Sequence, residues 1–449
     1  MASSRISRRR FLATTAAASA AMVAAPYVRT AHAAGKLSVG FWDHWVPGAN
    51  DTLTKLCNEW AEKEKVELQI DYITSQGNKN LLTIAAEAQA RSGHDILAFP
   101  TWQPADHVKN LEPVDDLMRE LIEANGEVSD VVQYLGKQEG HWIAVPTTPG
   151  SQAKPPCARI DLLKQHAGLD PREMYPAGAP PNPELAEKWN WDNFLMAAEK
   201  CQKAGTPFGL GLGQTSDSVD WVGAMFASFG AQLVDAKGNI TVKSDATKQV
   251  LDYAKKLVAA LPPDVFAWDD SSNNKFLVSG KGALIMNPPS AWAVAKRDAP
   301  QVAEQLWTFD MPKGPKGRYQ PFLPYFWGIW GFGKNKAAAK SLLRHLSQRE
   351  NVARLVEASQ GYDIPAFAKL RDFPTWLEQG PPKGTLYHYP PRESQVASIA
   401  AAPAPPKIAV QIYTQATMTK MIARTTQGGE SIDKTIDWAE SELEGFMRT

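Results

Sequence analysis

Strand and helix patterns alternate through the first hundred residues, and this alternation most limits what the chain can fold into. Short apolar runs predict strands at 36–41, 66–73 and 95–99. Helices are predicted between them, one capped at Asn50-Asp51 and the other over residues 80–91. Strands separated by helices of ten or more residues are typical of βαβ units. We therefore predict an α/β protein built on a parallel sheet.

A second α/β region follows from about residue 141. The 449 residues are enough for two to three domains. Predicted strands lie at 208–212, 282–286 and 322–332, and predicted helices at 191–204, 244–260, 337–346 and 350–359. A hairpin turn is predicted at Asp235–Asn239, and the Pro-rich stretch 373–406 is predicted to be irregular. Two further helices close the chain.

The N-terminus has the features of an export signal rather than of folded structure. Ser7-Arg-Arg-Arg-Phe-Leu12 precedes an Ala-rich run to Ala25, and Ala31-His-Ala33 offers the small residues that a signal peptidase requires. The S-R-R-x-F-L core resembles a twin-arginine signal, which predicts cleavage after Ala33 and release to the periplasm by the Tat machinery. The alternative is a disordered Arg-rich leader. No later stretch approaches 18 uninterrupted apolar residues, so a second membrane segment is not expected.

Charge argues against a nucleic-acid partner. The 48 basic residues equal the 48 acidic ones, and removing the five arginines of the signal leaves a net charge of −5. A nucleic-acid-binding protein normally shows a basic excess or stripe.

Motifs for common enzyme chemistry are missing from the sequence. There is no H-E-x-x-H, G-x-S-x-G or G-x-x-x-x-G-K-[ST]. Gly209-Leu-Gly-Leu-Gly213 resembles a dinucleotide fingerprint, but Gln214 stands where the third Gly belongs, so a plain strand and loop are favoured. The adjacent pair Asp269-Asp270 suits a solvated turn better than a catalytic carboxylate pair.

Metal and cofactor sites are likewise not indicated. The eight histidines show no metal-ligand spacing on a common helix face, and the three cysteines form no C-x-x-C pair. We therefore predict no catalytic residues, no metal and no cofactor. In an oxidising compartment one disulfide is possible, and Cys157 with Cys201 is the pair to test first.

Tryptophan is unusually frequent, with 15 Trp against 16 Phe, and several Trp residues follow predicted strands. Ligands in open α/β sheets lie outside the carboxyl ends of the strands. Flat aromatic rings there can stack on sugar C–H groups, while polar neighbours bond the hydroxyls. The alternative is core packing, which we favour for Trp60, Trp142, Trp191, Trp221 and Trp438. The predicted ligand-binding residues are Trp42, Asp43, His44, Trp45, Gln76, Thr101, Trp102, Asn287, Trp292, Tyr325 and Trp327.

Several blocks together resemble the extracellular solute-binding proteins of carbohydrate ABC transporters, the broad family that includes maltose-binding protein. The resemblance covers most of residues 36–445, and the order and spacing of the blocks carry it. They are Gly93–Phe99 with Leu111–Asp115, Gly140–Pro146, Trp189–Phe194, and Lys281–Met286 with Asn287 and Trp292. Pro149–Pro156 and Ser290 depart from the family pattern, where aromatic residues are common, so the sugar is left undefined.

The resemblance implies a two-lobed periplasmic binding protein fold of type II, with discontinuous lobes joined by hinge strands. We place the first lobe at 35–147 plus 327–375 and the second at 148–326 plus 376–449. It further implies a monomer that captures a neutral sugar or oligosaccharide between its lobes. The closed form then docks on a membrane permease. Trp42 and Trp102 are both expected to project into the cleft.

Two other functions stay open. Twin-arginine export often carries cofactor-loaded oxidoreductases, so an exported periplasmic enzyme is one alternative. The other is a protein of the same fold that binds a polyamine or iron. Polyamine sites need several carboxylates and iron sites need paired Tyr or His. The candidate residues offer mainly Trp, Asn and one Asp, which favours a neutral polyol.

Overall fold

The structure is a computed structural model that describes residues 35–176, 179–287, 289–378 and 396–448. The predicted signal peptide, residues 1–33, lies outside these ranges. The strands are β1 (Lys36–Trp42), β2 (Glu67–Ile73), β3 (Ile96–Pro100), β4 (Lys137–Gln138), β5 (His141–Trp142), β6 (Val145–Ala153), β7 (Pro156–Arg159), β8 (Leu284–Met286), β9 (Leu306–Thr308), β10 (Tyr319–Ile329) and β11 (Val396–Ser398).

Helices surround these strands. The longer ones are Ala49–Glu64, Lys79–Ala90, Asp115–Asn125, Asp130–Gly136, Trp191–Lys203, Ser216–Phe229, Asp245–Val258, Ser272–Val278, Ser290–Asp298, Lys336–Leu346, Arg349–Ala358, Pro406–Thr414, Thr417–Thr426 and Ile432–Phe446. Shorter helical turns are Gln76–Asn78, Gln103–Asp106, Ile160–Leu162, Leu163–Ala167, Pro171–Met174, Pro183–Lys188, Val265–Ala267, Pro300–Ala303, Ala368–Leu370 and Thr375–Glu378.

The first sheet confirms the predicted parallel βαβ core. β1 lies between β2 and β3 and runs parallel to both, with Trp42 opposite Ile73 and Val39 opposite Ile96. β10 runs antiparallel beside β3, and β6 pairs with β10 in turn. Because of this register Tyr325 lies opposite Pro100, at the carboxyl end of β3.

A second, smaller sheet is formed by β7 between β8 and β9. The chain passes from β6 in the first sheet to β7 in the second through two residues, Lys154 and Pro155. It returns between β9 and β10. The chain therefore forms two lobes joined by crossing segments, as the predicted fold class requires.

Each lobe is completed by a later part of the chain. The 336–346 and 349–358 helices pack on the 49–64 helix of the first lobe. The 417–426 and 432–446 helices pack on the 245–258 helix of the second. The lobes are therefore discontinuous in sequence, and the boundaries that we placed near residues 147 and 327 remain predictions.

Local signals were right for some elements and wrong for others. The Asn190 side chain caps the 191–203 helix and Ser244 caps the 245–258 helix, as side-chain acceptors do. The first helix instead begins after Gly48, which has a φ of 89° and provides no side-chain cap, so the cap predicted at Asn50-Asp51 is wrong. The run 208–212 forms a single bridge from Phe208 to Leu284 rather than a strand.

The three cysteines are free and buried. Cys157 lies in β7, whereas Cys201 lies on the 191–203 helix and packs in a different apolar cluster. Cys157 and Cys201, the pair chosen as the first to test, therefore form no disulfide. Each thiol is a small buried hydrophobe, and burial raises the pKa of Cys201 to about 11.

None of the described helices is long and apolar enough to cross a membrane.

Candidate functional site

One cavity, of about 80 Å³, gathers residues from the carboxyl ends of the first sheet, from the second lobe and from the C-terminal helices. Larger grooves lie elsewhere, and one of about 960 Å³ follows the opposite ends of β1 and β2. Ligands in α/β sheets bind outside the carboxyl ends, so the smaller cavity is the candidate site. It is lined by Trp42, Trp45, Ser75, Asn78, Asn80, Leu81, Pro100, Gln103, Gln152, Gln214, Thr215, Ser216, Asp217, Val219, Asp270, Leu323, Tyr325, Tyr413, Thr414 and Ala416.

Aromatic rings form one part of the lining. Trp42, the last residue of β1, lies 5.4 Å from the Tyr325 ring and 6.0 Å from the Tyr362 ring. Trp45 also lines the cavity and is half-buried. The indole N–H of Trp42 is buried and has no hydrogen-bond partner among the described residues. A bound molecule with an acceptor oxygen would satisfy this donor.

Gly150 allows the backbone of β6 to approach these rings. Its φ is 90°, and a Cβ there would lie 2.9 Å from atoms of the Tyr325 ring and 3.2 Å from Trp42. Any larger residue would therefore be strained and would push the rings out of place.

His44 positions this aromatic group without lining the cavity. Its Nδ1 accepts from the Val46 N–H at 2.9 Å, so the ring proton sits on Nε2 and is donated to Asp363 Oδ1 at 3.0 Å. The same carboxylate oxygen accepts from the Gly150 N–H at 2.9 Å. The pair therefore ties the loop after β1 to β6.

A buried charge cluster forms another part of the site. Lys154 Nζ lies 2.7 Å from Asp217 Oδ1 and 2.7 Å from Asp220 Oδ2, and Tyr413 donates to Asp220 at 2.9 Å. Lys154 and Asp220 are each only 1% exposed. Burial alone would lower the pKa of Lys154, but the two carboxylates outweigh it and raise that pKa above its usual range. Burial raises the pKa of Asp220, against the opposing charge of Lys154.

Asp270 lies beside this cluster. Its carboxylate accepts from the Asp217 N–H at 3.2 Å and from the Ser216 hydroxyl at 3.4 Å. Burial, and next the negative charge of Asp217, raise the pKa of Asp270 to about 7. A solvated turn was predicted for Asp269 and Asp270. It is confirmed for Asp269, which is exposed and accepts a hydrogen bond from the Ser271 N–H. It is wrong for Asp270, which is buried.

Amide side chains supply further hydrogen-bonding capacity. Gln103 and Asn80 reach the cavity from the first lobe, Gln152 from β6 and Gln214 from the second lobe. Gln214 follows Gly213, where a Cβ would lie 2.3 Å from the Trp268 carbonyl oxygen. The glycine-rich run therefore serves close backbone packing before the 216–229 helix.

Three of the predicted ligand-binding residues line the cavity, namely Trp42, Trp45 and Tyr325. Trp102 does not: its ring is 1% exposed, packs edge-on against Tyr134 and donates to the Ala400 carbonyl at 2.9 Å. Thr101 is fully buried, and its backbone N–H donates to the Pro324 carbonyl at 2.8 Å. The expectation that Trp102 projects into the cleft is therefore wrong.

The other predicted residues also lie outside the cavity. Trp327 packs on Phe41 within the first lobe. Asn287 donates to Asn273 and Asn274, and Trp292 belongs to a separate apolar cluster of the second lobe, under Lys296. Asp43 accepts from Asn50 at 2.8 Å, and Gln76 is exposed on the turn between Ser75 and Asn78.

Sequence reasoning missed lining residues of both lobes, and the acidic ones among them belong to the second lobe. Asp217, Gln214 and Asp270 lie in loops or at a helix start, and Tyr413 lies near the end of a C-terminal helix. No spacing signal links them, because the fold brings them together across nearly 200 residues. The one available hint was Gln214, which breaks the glycine pattern.

Similar proteins of known structure share this fold. The maltose-bound MalE3 of T. maritima superposes with a TM-score of 0.74 at 17% identity, over 91% of this chain and 99% of that one. The GacH receptor of Streptomyces glaucescens GLA.O, known unliganded and in complex with acarbose, gives 0.71 at 19% identity, over 92% and 98%. A sugar transporter from Arthrobacter chlorophenolicus A6 with bound laminaribiose gives 0.71 at 15% identity, over 92% and 99%.

Sequence comparison agrees with the structural one. A probable amino-acid ABC transporter periplasmic-binding protein, y4oP of Sinorhizobium fredii, is 27% identical to this chain over 240 residues. The match covers 49% of this chain and 51% of the relative, so the chain spans about half the length of that protein. The family model for bacterial extracellular solute-binding proteins matches residues 47–353. The chain belongs to the family of bacterial extracellular solute-binding proteins.

Proposed function

We propose that this protein is the substrate-binding component of an ABC importer, and that it captures a sugar or oligosaccharide in the cavity between its lobes. One observation carries the proposal: the rings of Trp42, Trp45 and Tyr325 share a single cavity with the amides of Gln103 and Gln152. Aromatic faces stack on sugar rings, and amides donate to and accept from hydroxyls. The sugar-bound neighbours support the same ligand class.

Ligand-driven closure gives the mechanism. The lining comes from both lobes, so a ligand that contacts both stabilises the closed form by its differential affinity for that form. The closed protein then docks on a membrane permease, which carries the sugar onward. The protein turns nothing over.

An amino acid, the ligand class in the name of the relative, fits less well. Its carboxylate would need a cation, and none of the described residues that line the cavity is Lys, Arg or His. Lys154, just beneath the lining, is already bound to Asp217 and Asp220. A neutral sugar has no carboxylate and therefore needs no cation in the cavity.

Export through the twin-arginine route to the periplasm belongs to the same proposal. The family is an extracellular one, and the S-R-R-x-F-L core at Ser7–Leu12 supplies a signal. We propose that cleavage follows Ala33 and that the mature protein is a monomer. N-terminal sequencing of the exported protein tests the cleavage position.

The ligand class is tested by titration calorimetry and thermal shift with maltose, laminaribiose and related oligosaccharides. We expect saturable 1:1 binding, and a ligand at 100 times its Kd adds about 2.7 kcal/mol to stability. Chromatography should recover the sugar unchanged. Cleaved or oxidised sugar at a steady rate would assign the protein to an enzyme class instead, and a panel with no stabilising sugar would contradict the sugar proposal.

A further inference from the structure

We propose that the sugar bound in this cavity carries a protonated amine, and that the carboxylates of Asp217 and Asp270 bind the ammonium group. The inference rests on the proposed function of the same cavity and narrows its ligand to amino sugars.

Charge balance is the first argument. Asp217 and Asp270 line the cavity and Asp220 lies buried behind them, so three acidic side chains are grouped around one ammonium, that of Lys154, which contacts Asp217 and Asp220 directly. No Lys, Arg or His stands among the described residues of the lining. Buried carboxylates are costly unless they are paired. A cation delivered by the ligand would complete the balance.

The remaining bonding capacity of the two carboxylates favours such a ligand. Asp217 Oδ1 binds Lys154 and its Oδ2 accepts from Asn273 at 3.2 Å. Asp270 accepts the Asp217 backbone N–H at 3.2 Å, the Ser216 hydroxyl at 3.4 Å and the Thr215 hydroxyl, so one acceptor position remains. Since two ionised oxygens offer about four acceptor positions, each carboxylate can take a further donor. Asp220 is different, because Lys154 and Tyr413 already occupy it and it does not line the cavity.

The unpartnered indole N–H of Trp42 favours a ligand that is more than a simple amine. Trp42 is 5% exposed and lines the same cavity, so its buried donor requires an acceptor that the described residues do not supply. Ammonium groups donate only. A hydroxyl oxygen on the ligand would accept this bond, so the indole and the carboxylates together favour one molecule that carries both hydroxyls and an amine.

The titration of Asp270 agrees with this assignment. Its pKa of about 7 belongs to a buried carboxylate beside the negative Asp217, which the Lys154 charge only partly offsets. An ammonium group bound beside Asp270 would favour the ionised carboxylate and lower that pKa.

The test compares amines with their neutral parents by calorimetry at pH 8, where an alkyl ammonium remains protonated. The probes are 6-amino-6-deoxyglucose against glucose, 6-amino-6-deoxymaltose against maltose, and putrescine against 1,4-butanediol. We expect at least one amino sugar to bind ten times more tightly than its parent. Asp270→Asn should abolish this preference, whereas Asp269→Asn, an exposed neighbour outside the lining, should keep it.

The outcomes separate the inference from the proposed function. Neutral sugars that bind as tightly as their amines overturn the inference and leave the proposed function standing. Binding of putrescine alone overturns both, because it shows an amine site without sugar recognition. A panel in which no amino sugar binds overturns the inference, and an amine preference that survives in Asp270→Asn does the same.

Discussion

Trp42 and Trp102 look equivalent in sequence, but replacement by Phe should weaken ligand binding at Trp42 and folding stability at Trp102. Trp42 is the last residue of β1 and Trp102 comes two residues after β3, and both are buried, at 5% and 1% exposure. Their indole N–H groups differ. That of Trp42 has no described partner, whereas that of Trp102 donates to the Ala400 carbonyl at 2.9 Å. Replacing either residue by Phe keeps an aromatic ring and removes the N–H.

The expected magnitudes follow from these contacts. In Trp102→Phe a buried carbonyl loses its donor, which costs about 1–3 kcal/mol of folding stability. Trp42→Phe removes a donor that was unsatisfied, so only the smaller ring volume should lower its stability. When ligand is bound, Trp42→Phe loses one hydrogen bond, worth about 0.5–1.5 kcal/mol. At 1.4 kcal/mol per tenfold, this loss weakens binding about two- to tenfold.

Urea denaturation and calorimetry on the two variants provide the comparison. We expect Trp102→Phe to unfold at the lower urea concentration and to bind sugar like the parent protein. Trp42→Phe should unfold later than Trp102→Phe and bind more weakly. The opposite pattern, with binding lost in Trp102→Phe and retained in Trp42→Phe, would refute the placement of the site.

Three further predictions concern buried charge and export. Lys154→Met leaves two buried carboxylates unpaired and should lower the free energy of unfolding by about 3–5 kcal/mol, whereas Lys36→Met, which removes an exposed ion pair, should leave the urea midpoint unchanged; a Lys154→Met protein as stable as the parent would contradict the cluster. Because the folded-state pKa of Asp270 is raised to about 7, its contribution to stability is present at low pH and is lost as pH rises to 7. Asp270→Asn should therefore be more stable than the parent at pH 8 by up to about 4 kcal/mol. This advantage should shrink toward pH 5, and an advantage independent of pH would exclude this origin. Replacing Arg8 and Arg9 together by Lys should hold the precursor in the cytoplasm, as fractionation and immunoblotting would show, and normal export would contradict the twin-arginine signal.

Most of the first lobe could be predicted because its signals are local. The three predicted strands at 36–41, 66–73 and 95–99 lie within one residue of β1, β2 and β3. Hydrophobic periodicity reports burial of neighbouring residues, and in a parallel sheet covered by helices that burial is strong. The hairpin turn at Asp235–Asn239 is also present, bridged by Val234 and Ile240.

The site was predicted less well, because position after a strand does not fix where a side chain points. Trp42 ends β1 and reaches the cavity, whereas Trp102 begins a turn into the 103–106 helix that directs its ring into the core. Core packing was correct for Trp60, Trp142, Trp191 and Trp221, all less than 10% exposed.

The residues that define charge in the cavity needed the tertiary structure. Asp217 and Asp220 bind Lys154 and Asp270 accepts from the Asp217 N–H, although Lys154 lies 63 or more residues before each of them. Hydrophobic periodicity reflects local structure and does not predict contacts between residues so far apart in sequence. The cleft was predicted to offer one Asp, Asp43, because no local signal pointed to Asp217 or Asp270.

Residues 150–154, which lead from the first sheet to the second, contact the aromatic group, the cavity and the charge cluster within a short piece of chain. Gly150 bonds Asp363, which holds His44 behind the aromatic rings of the first lobe. Four residues later Lys154 is bound to the 216–229 helix of the second lobe. Since both ends are anchored by buried polar groups, relative movement of the lobes must be accommodated near this segment or alter those bonds. Gln152 lies between the anchors and lines the cavity. We therefore expect a ligand that contacts Gln152 to act on the segment that joins the lobes, and so to couple binding to closure.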